Sequence, residues 1–456
     1  MKRLGSAPRP DWKQRIEAQG LVFSTTALPD GTNVEYWHEG AYYEFTMDEV
    51  ETLEKAAEDM HCMCLEAAKF LATGAMGNIG IGPQAMELAA ASLQAGDVDV
   101  YGRFDFVYDG RGGPAKMLEY NADTPTGLIE AAVAQWFWLQ DVLPEKDQWN
   151  GIHEALIRQW KRLQYRTGMS TLHVAHSEAE ESGEDWMTAA YMRDVASQAG
   201  WTTIGINMSD IGWDPDLNRF VDLDNFMIST MFKLYPWELM MKEPFGQRLL
   251  QRAHNPRWVE PAWKMLLSNK ALLAALWHLY PDHPNLLPAY LDGPGPLTEW
   301  VAKPLHGREG DNIRIHAAGI DLEQPGGYGR EGWCYQQFHA LPDFDGNHPV
   351  LGLWVVDGES VGCGIRESDG PITDYFCRFV PNTIDAPAPA SNRAHSSKAG
   401  IALRAPEPRR RRPAAPGVPR QFRPRDCAPG SWISETPSCW GWPPPRRSSR
   451  SRRPWD

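Results

Sequence analysis

Apolar positions recur at helical spacing from Met47 to Ala72, where Leu53, Ala57, Met60, Cys64, Ala67, Ala68 and Leu71 share one stripe and predict a long helix. Pro83 breaks the chain before a second helical stretch at 84–94. Tyr101 to Val107 alternates with the period of a strand, and Lys116 to Tyr120 reads as its neighbour across the hairpin connection Asp109-Gly110-Arg111-Gly112-Gly113. Helical patterning returns at 126–143 and 150–165. A strand at 172–175, an acidic loop, a helix at 185–198 and a strand at 202–206 then follow. This β-α-β order predicts a small parallel-sheet subdomain at about 170–235. The region 236–279 reads as helical, and from Trp300 short strands dominate, at 300–304, 333–339, 350–356 and 360–365. The expected fold class is α+β with several lobes and no internal repeat.

Charge divides the chain in two. Residues 386–456 hold 15 Lys and Arg against 4 Asp and Glu, a balance of +11, so the preceding 385 residues carry −25 of the net −14. The basic part contains Arg409-Arg410-Arg411-Arg412 and Pro443-Pro444-Pro445 and shows no sustained hydrophobic period. Such a segment cannot bury enough apolar surface to offset chain entropy, so a disordered tail is expected over 386–456. The composition changes abruptly after Val380-Pro381, as a frameshifted terminus would; a nucleic-acid- or membrane-attracting arm is the functional alternative for the tail. The acidic body is expected to bind no nucleic acid. No apolar run approaches the roughly eighteen residues of a membrane helix, and Met1 to Trp12 is polar and basic, so neither a membrane span nor a secretory signal is expected and the default location is cytoplasmic. The seven cysteines form no framework; Cys62 and Cys64 have no second pair near them to complete a zinc site. The twenty tryptophans suit core and inter-lobe packing first and a cleft lining second.

The strongest chemistry lies on the expected hairpin. Residues two apart on a strand share a face, so Arg103 pairs with Asp105 and Glu119 with Asn121. If the strands pair, one cation and three oxygen-bearing side chains converge. An Asp, a Glu and an Asn carbonyl are the hard ligands that suit Mg²⁺ shared with phosphates. A surface hairpin with an ordinary salt bridge explains Arg103 and Asp105 equally well. It explains less well the run Asn121-Ala122-Asp123-Thr124-Pro125-Thr126, which puts two hydroxyls and another carboxylate just before a helix.

A second constellation follows Trp300. Lys303 ends a short strand and leads into Gly307-Arg308-Glu309-Gly310, where two glycines let backbone N–H groups approach a polyphosphate beside a point charge. Neither a Walker A loop nor a dinucleotide fingerprint is present, and alone this stretch is also a plain hairpin turn. Lys270 at a helix start and Arg366-Glu367 at a strand end add further charge. Glu184 and Asp185, before a helix, are either amine contacts or a solvated helix N-terminus.

These separated motifs, in this order, resemble the synthetase part of the glutathionylspermidine synthase family over roughly residues 10–384, which sets a synthetase domain at 1–385. The resemblance implies a pre-ATP-grasp region joined to an ATP-grasp fold, with ATP and Mg²⁺ as cofactors. It implies that Asp105, Glu119 and Asn121 hold the metal, that Arg103 and Arg366 contact phosphates, and that Thr124 and Thr126 bind the acid substrate. It further implies that Lys270 and Lys303 bind ATP, that Gly307 to Gly310 cover its phosphates, and that Tyr335-Gln336-Gln337 form the adenine-side hinge. The implied reaction joins a small carboxylic acid to an amine through an acyl phosphate, the family's pair being a peptide thiol and a polyamine. Glu184 is the candidate amine contact. The chain departs from the family at Thr124-Pro125-Thr126, where bifunctional members are Ser-rich, and at Leu234, where they carry a hydroxyl; both weigh against glutathione itself. Asn382 stands where a histidine is expected, which would mark a lost native C-terminus. With Trp12 already inside the resemblance, no amidase half is expected. A peptide-type ligase joining amino acids and a non-catalytic ATP-binding protein are the rival readings.

Overall fold

The computed structural model describes residues 1–28, 31–178, 183–308 and 310–387; Glu309 and the expected tail from residue 388 onward lie outside them. The architecture is α+β, built on a central antiparallel sheet of five strands. In spatial order these are Arg378–Val380, Glu359–Ser368, His348–Val356, Tyr101–Val107 and Lys116–Asn121. The chain thus returns after some 240 residues to pair Leu351 with Phe106 and Leu353 with Phe104. A strand buried on both faces reads as continuously apolar rather than alternating, and Tyr101–Val107 is buried along its whole length.

Each face of this sheet carries its own core. On one face Phe104, Phe106 and Leu353 join the buried stripe of the helix Met47–Ala72, which Thr46 and Glu49 start with a capping box. On the other face Tyr101 and Trp354 join the helix Ile152–Thr167 and the π-helical turn Glu130–Ala134. Trp37, Trp138, Trp160, Trp237 and Trp354 are fully buried, so these tryptophans are packing residues.

The strand–helix–strand expected near 170–206 appears as Thr171–His176, the helix Glu184–Gln198 and Thr202–Asn207, the two strands parallel. Two further parallel strands, Thr230–Leu234 and Arg257–Val259, complete a four-stranded sheet. The second of these corrects the helical reading of 236–279: the segment contains short helices, but Arg257–Val259 is a strand, because Trp258 and Val259 bury against the edge of this sheet. A second five-stranded antiparallel sheet runs Ala289–Tyr290, Trp333–Gln337, Trp300–Pro304, Arg314–Ala317, Ile320–Glu323.

The strand Asn382–Pro387 pairs in parallel with Ala41–Phe45. Asn382 is fully buried and satisfied: Nδ2 donates to Gln135 Oε1 (3.0 Å) and Cys363 O (2.7 Å), and Oδ1 accepts from Trp149 N (3.2 Å). The residue that the family resemblance marks as a departure is therefore fitted to its surroundings. Leaving several buried partners unpaired costs about 1–3 kcal/mol each. Asn382→Leu is expected to destabilise the fold by about 3 kcal/mol or more, seen as a lower urea midpoint with unchanged slope.

Candidate active site

The hairpin register places Arg103 opposite Asn121 and Asp105 opposite Glu119. All four are on the sheet face opposite Phe104 and Phe106. A register shift between Asp105 and Phe106 leaves Leu118 outside the pairing. Such bulges re-aim side chains and free backbone groups, and here the Leu118 carbonyl accepts from Lys303 Nζ at 2.9 Å.

Asp105 is nearly fully buried between two guanidinium groups. Arg103 Nε donates to its Oδ1 at 2.8 Å and Arg366 Nη2 to its Oδ2 at 2.5 Å. Arg366 comes from two strands away, and Gly352 and Gly364 are paired with one another on the same face of the sheet. A Cβ on Gly352 would lie 2.8 Å from Arg103 Cδ, so a side chain there would displace the arginine. Burial disfavours the charged form of Arg366, but Asp105 outweighs it and raises its pKa further above the ordinary value. Asn121 Nδ2 lies 2.8 Å from Glu119 Oε1 and 3.4 Å from Asp105 Oδ2, so one amide touches both carboxylates and marks their point of convergence.

Glu119 meets the lysines. Lys270, between the short helix Lys264–Ser268 and the helix Ala271–Leu279, places Nζ 3.0 Å from Glu119 Oε2. Burial opposes ionisation of Glu119, but Lys270 and Lys303 outweigh it and hold its carboxyl well below the usual range. Lys303 donates to Gln336 Oε1 at 2.7 Å, and Gln336 Nε2 donates to Met117 O at 3.1 Å. Burial pushes the Lys303 ammonium down to about 8, against the opposing pull of Glu119. These two side chains cover the backbone of the edge strand Lys116–Asn121, as exposed sheet edges require.

Not every expected residue joins. Gln336 and Gln337 alternate faces on the strand Trp333–Gln337; Gln336 is buried beside Lys303, while the Gln337 side chain is exposed away from it. Glu367 likewise faces away from Arg366 and instead receives Arg3 Nε and the Tyr43 hydroxyl, each at 2.6 Å. Glu184 sits in the first turn of its helix, close enough to the Tyr36 hydroxyl to act on it electrostatically, apart from the carboxylate pair. Thr126 contributes its carbonyl to Arg103 Nη1, whereas Thr124 Oγ1 accepts from Arg308 Nη1 at 2.7 Å.

Arg308 is a residue to which the sequence reading gave no role. Lying between Gly307 and Gly310, it also donates to Glu238 Oε1 at 2.8 Å, closing the loop over the hairpin. Burial works against ionisation of Glu238, yet Arg308 prevails and holds it near 2. Gly310 has φ +72°, and a Cβ there would meet Ile372 at 2.8 Å. Asp123 was legible only as one more carboxylate. It is fully buried, accepts from Lys233 Nζ at 2.5 Å and from Trp237 N at 3.0 Å, and so ties the hydroxyl run to the parallel sheet. A lone lysine in the apolar strand Thr230–Leu234 was the available signal. Glu130, also buried, accepts from the Tyr36 hydroxyl at 2.6 Å. The cavity bordered by Asn121, Thr124, Lys270, Gly307 and Arg308 is about 10 Å³, room for one water.

Chemically, this is a row of two carboxylates and an amide flanked by two lysines and two arginines from four separate segments. Asp105, Glu119 and Asn121 form a donor set of the kind a hard divalent cation accepts once the amide turns its oxygen inward. No group of three or more acidic, histidine or cysteine residues elsewhere among the described residues offers an alternative metal site. No helix among them is long and apolar enough to cross a membrane.

Known proteins resemble this chain in sequence. A protein of Haemophilus influenzae named "Putative acid--amine ligase" is 41% identical over 397 residues, covering 84% of this chain and 99% of that one. The trypanothione synthetase of Crithidia fasciculata is 28% identical over 62% of this chain and 46% of its own length. The bifunctional glutathionylspermidine synthetase/amidase of Escherichia coli is 26% identical over 71% of this chain and 56% of its own. The chain therefore spans nearly all of the first relative and about half of the other two. The profile of the glutathionylspermidine synthase preATP-grasp family matches residues 3–385, the whole folded body described above, and the chain belongs to that family.

Proposed function

We propose that the protein is an ATP- and Mg²⁺-dependent acid–amine ligase that forms an amide through an acyl phosphate. The observation that carries this reading is the convergence of Asp105, Glu119 and Asn121 with Lys270, Lys303, Arg103 and Arg366 on one face of a hairpin. Family membership and ligases among the named relatives support it.

Asp105, Glu119 and Asn121 would hold Mg²⁺, which when bound neutralises phosphate charge. The substrate carboxylate attacks the γ-phosphorus of ATP and ADP leaves; the amine then attacks the acyl carbon and expels phosphate. Such transfer needs positioning and charge stabilisation rather than a protein nucleophile. Arg103 and Arg366, freed from Asp105 as the cation takes it, stabilise the transferring group, while Lys270 and Lys303 hold the ATP phosphates. Gln336 orients Lys303 from the buried side. The 307–310 loop covers the phosphates, and because the cavity beneath it is water-sized, ATP entry requires Arg308 to release Thr124 and Glu238. Thr124 and Thr126 then face the acid and Glu184 the amine. The acidic body, at −25, draws in a cationic amine such as a polyamine.

ADP release with Mg·ATP, measured over a panel of acids crossed with amines, tests the reading. One pair should stimulate turnover, and Asp105→Ala should lower that rate by about 10²–10³ with the fold intact by circular dichroism; stimulation that survives the substitution rules out the metal role.

Lys303 gives a pH test with opposite signs for binding and stability. Its ammonium is lost as pH rises through about 8 in the folded chain, so ATP affinity should fall above that pH, and Lys303→Arg should remove the dependence. Between about 8 and the ordinary lysine value only the unfolded chain keeps this proton, so the Lys303 contribution to stability should rise with pH over the same window. Calorimetric ATP titration and denaturant unfolding from pH 7 to 10 measure both.

A further inference from the structure

A cleft much larger than the cavity at the carboxylate hairpin lies elsewhere in the fold. It lies behind the Trp237 side chain, whose backbone N–H faces Asp123, and has a volume of about 520 Å³, within the range of small-molecule sites. Four arginines from four segments line it: Arg166 in the last turn of the helix Ile152–Thr167, Arg219, Arg252, and Arg257 on the edge strand of the parallel sheet. In a body with 25 more acidic than basic residues, this is a concentration of positive charge against the general trend. Asp97 is the one carboxylate among the lining residues, and it is already taken by Arg252 Nη2 (2.8 Å) and Ser92 Oγ (2.7 Å). Among the described residues, Arg166 and Arg257 form no ion pair, and both are exposed.

We infer that this cleft binds a small multivalent anion, a phosphate or polycarboxylate compound, held by the Arg166 and Arg257 guanidinium groups. Planar forks with several N–H donors match such groups bidentately, and an anion supplies the charge that Asp97 does not. Leu88, Met227 and Ile228 supply an apolar wall for the rest of the ligand. The inference stands apart from the ligase reading, because none of these residues belongs to the hairpin cluster.

The test is calorimetric titration of the full chain with pyrophosphate and, separately, citrate, without ATP or Mg²⁺. Wild type should bind at least one of them. The double variant Arg166→Ser/Arg257→Ser, altered only at exposed positions, should weaken that binding by roughly tenfold or more, while Lys270→Ala at the hairpin leaves it unchanged. Binding of pyrophosphate alone assigns a phosphate ligand, and binding of both assigns a general polyanion site. Absence of binding by either probe, or binding that is lost in Lys270→Ala and kept in the double variant, overturns the inference.

Discussion

Two carboxylates placed opposite one another on a buried hairpin must be neutralised, and that requirement organises the molecule. At directly opposed positions Asp105 and Glu119 would repel by about 3 kcal/mol at an effective dielectric of 20, before any cost of desolvation. Cations from outside the hairpin answer this: Arg366 on one side, Lys270 and Lys303 on the other, with Arg103 from the hairpin itself. Each arrives on a different element, so the charge balance of one row of residues depends on the central sheet, the second antiparallel sheet and the helical segment between them being assembled together.

The same dependence explains the small residues around the row. Gly352 leaves room for Arg103 and Gly364 for the Phe379 ring, and the register shift at Leu118 turns a carbonyl toward Lys303. The hydroxyl-bearing segment after Asn121 is held from below by Asp123, paired to Lys233 in the parallel sheet, and from above by Arg308. A site clamped this way is held in place from several elements at once. The cavity among these paired residues is water-sized.

The arginine cleft shows a different balance. Arg252 there is paired with Asp97, while Arg166 and Arg257 form no ion pair among the described residues; at the hairpin Arg103 and Arg366 both pair with Asp105. Trp237 touches both places: its backbone N–H donates to Asp123, Lys233 Nζ lies 5.1 Å from its ring centroid, and it lines the cleft. Ligand charge at the cleft and the position of the hydroxyl run are thus mechanically adjacent.

Local periodicity was enough to locate the long helix Met47–Ala72, the hairpin strands, and the strand–helix–strand unit, because side-chain alternation within a segment is a local property. The pairing of Arg103 and Asp105 with Glu119 and Asn121 was legible for the same reason: a short loop joins adjacent strands. Arg366 and the two lysines were legible as charges in order along the chain, but periodicity could not say that Arg366 reaches Asp105 from two strands away. The strand Arg257–Val259 was missed because three residues at a sheet edge carry too little pattern to outweigh helical neighbours. The partners of Arg308, Lys233 and Glu130 were not legible, since a buried charge is defined by its partner, and theirs lie 70 to 184, 110 and 94 residues away. The sequence by itself determined the elements and the identity of the charged row; only the tertiary structure decided which charges meet, because ion pairing in a buried site is set by three-dimensional proximity and not by position along the chain.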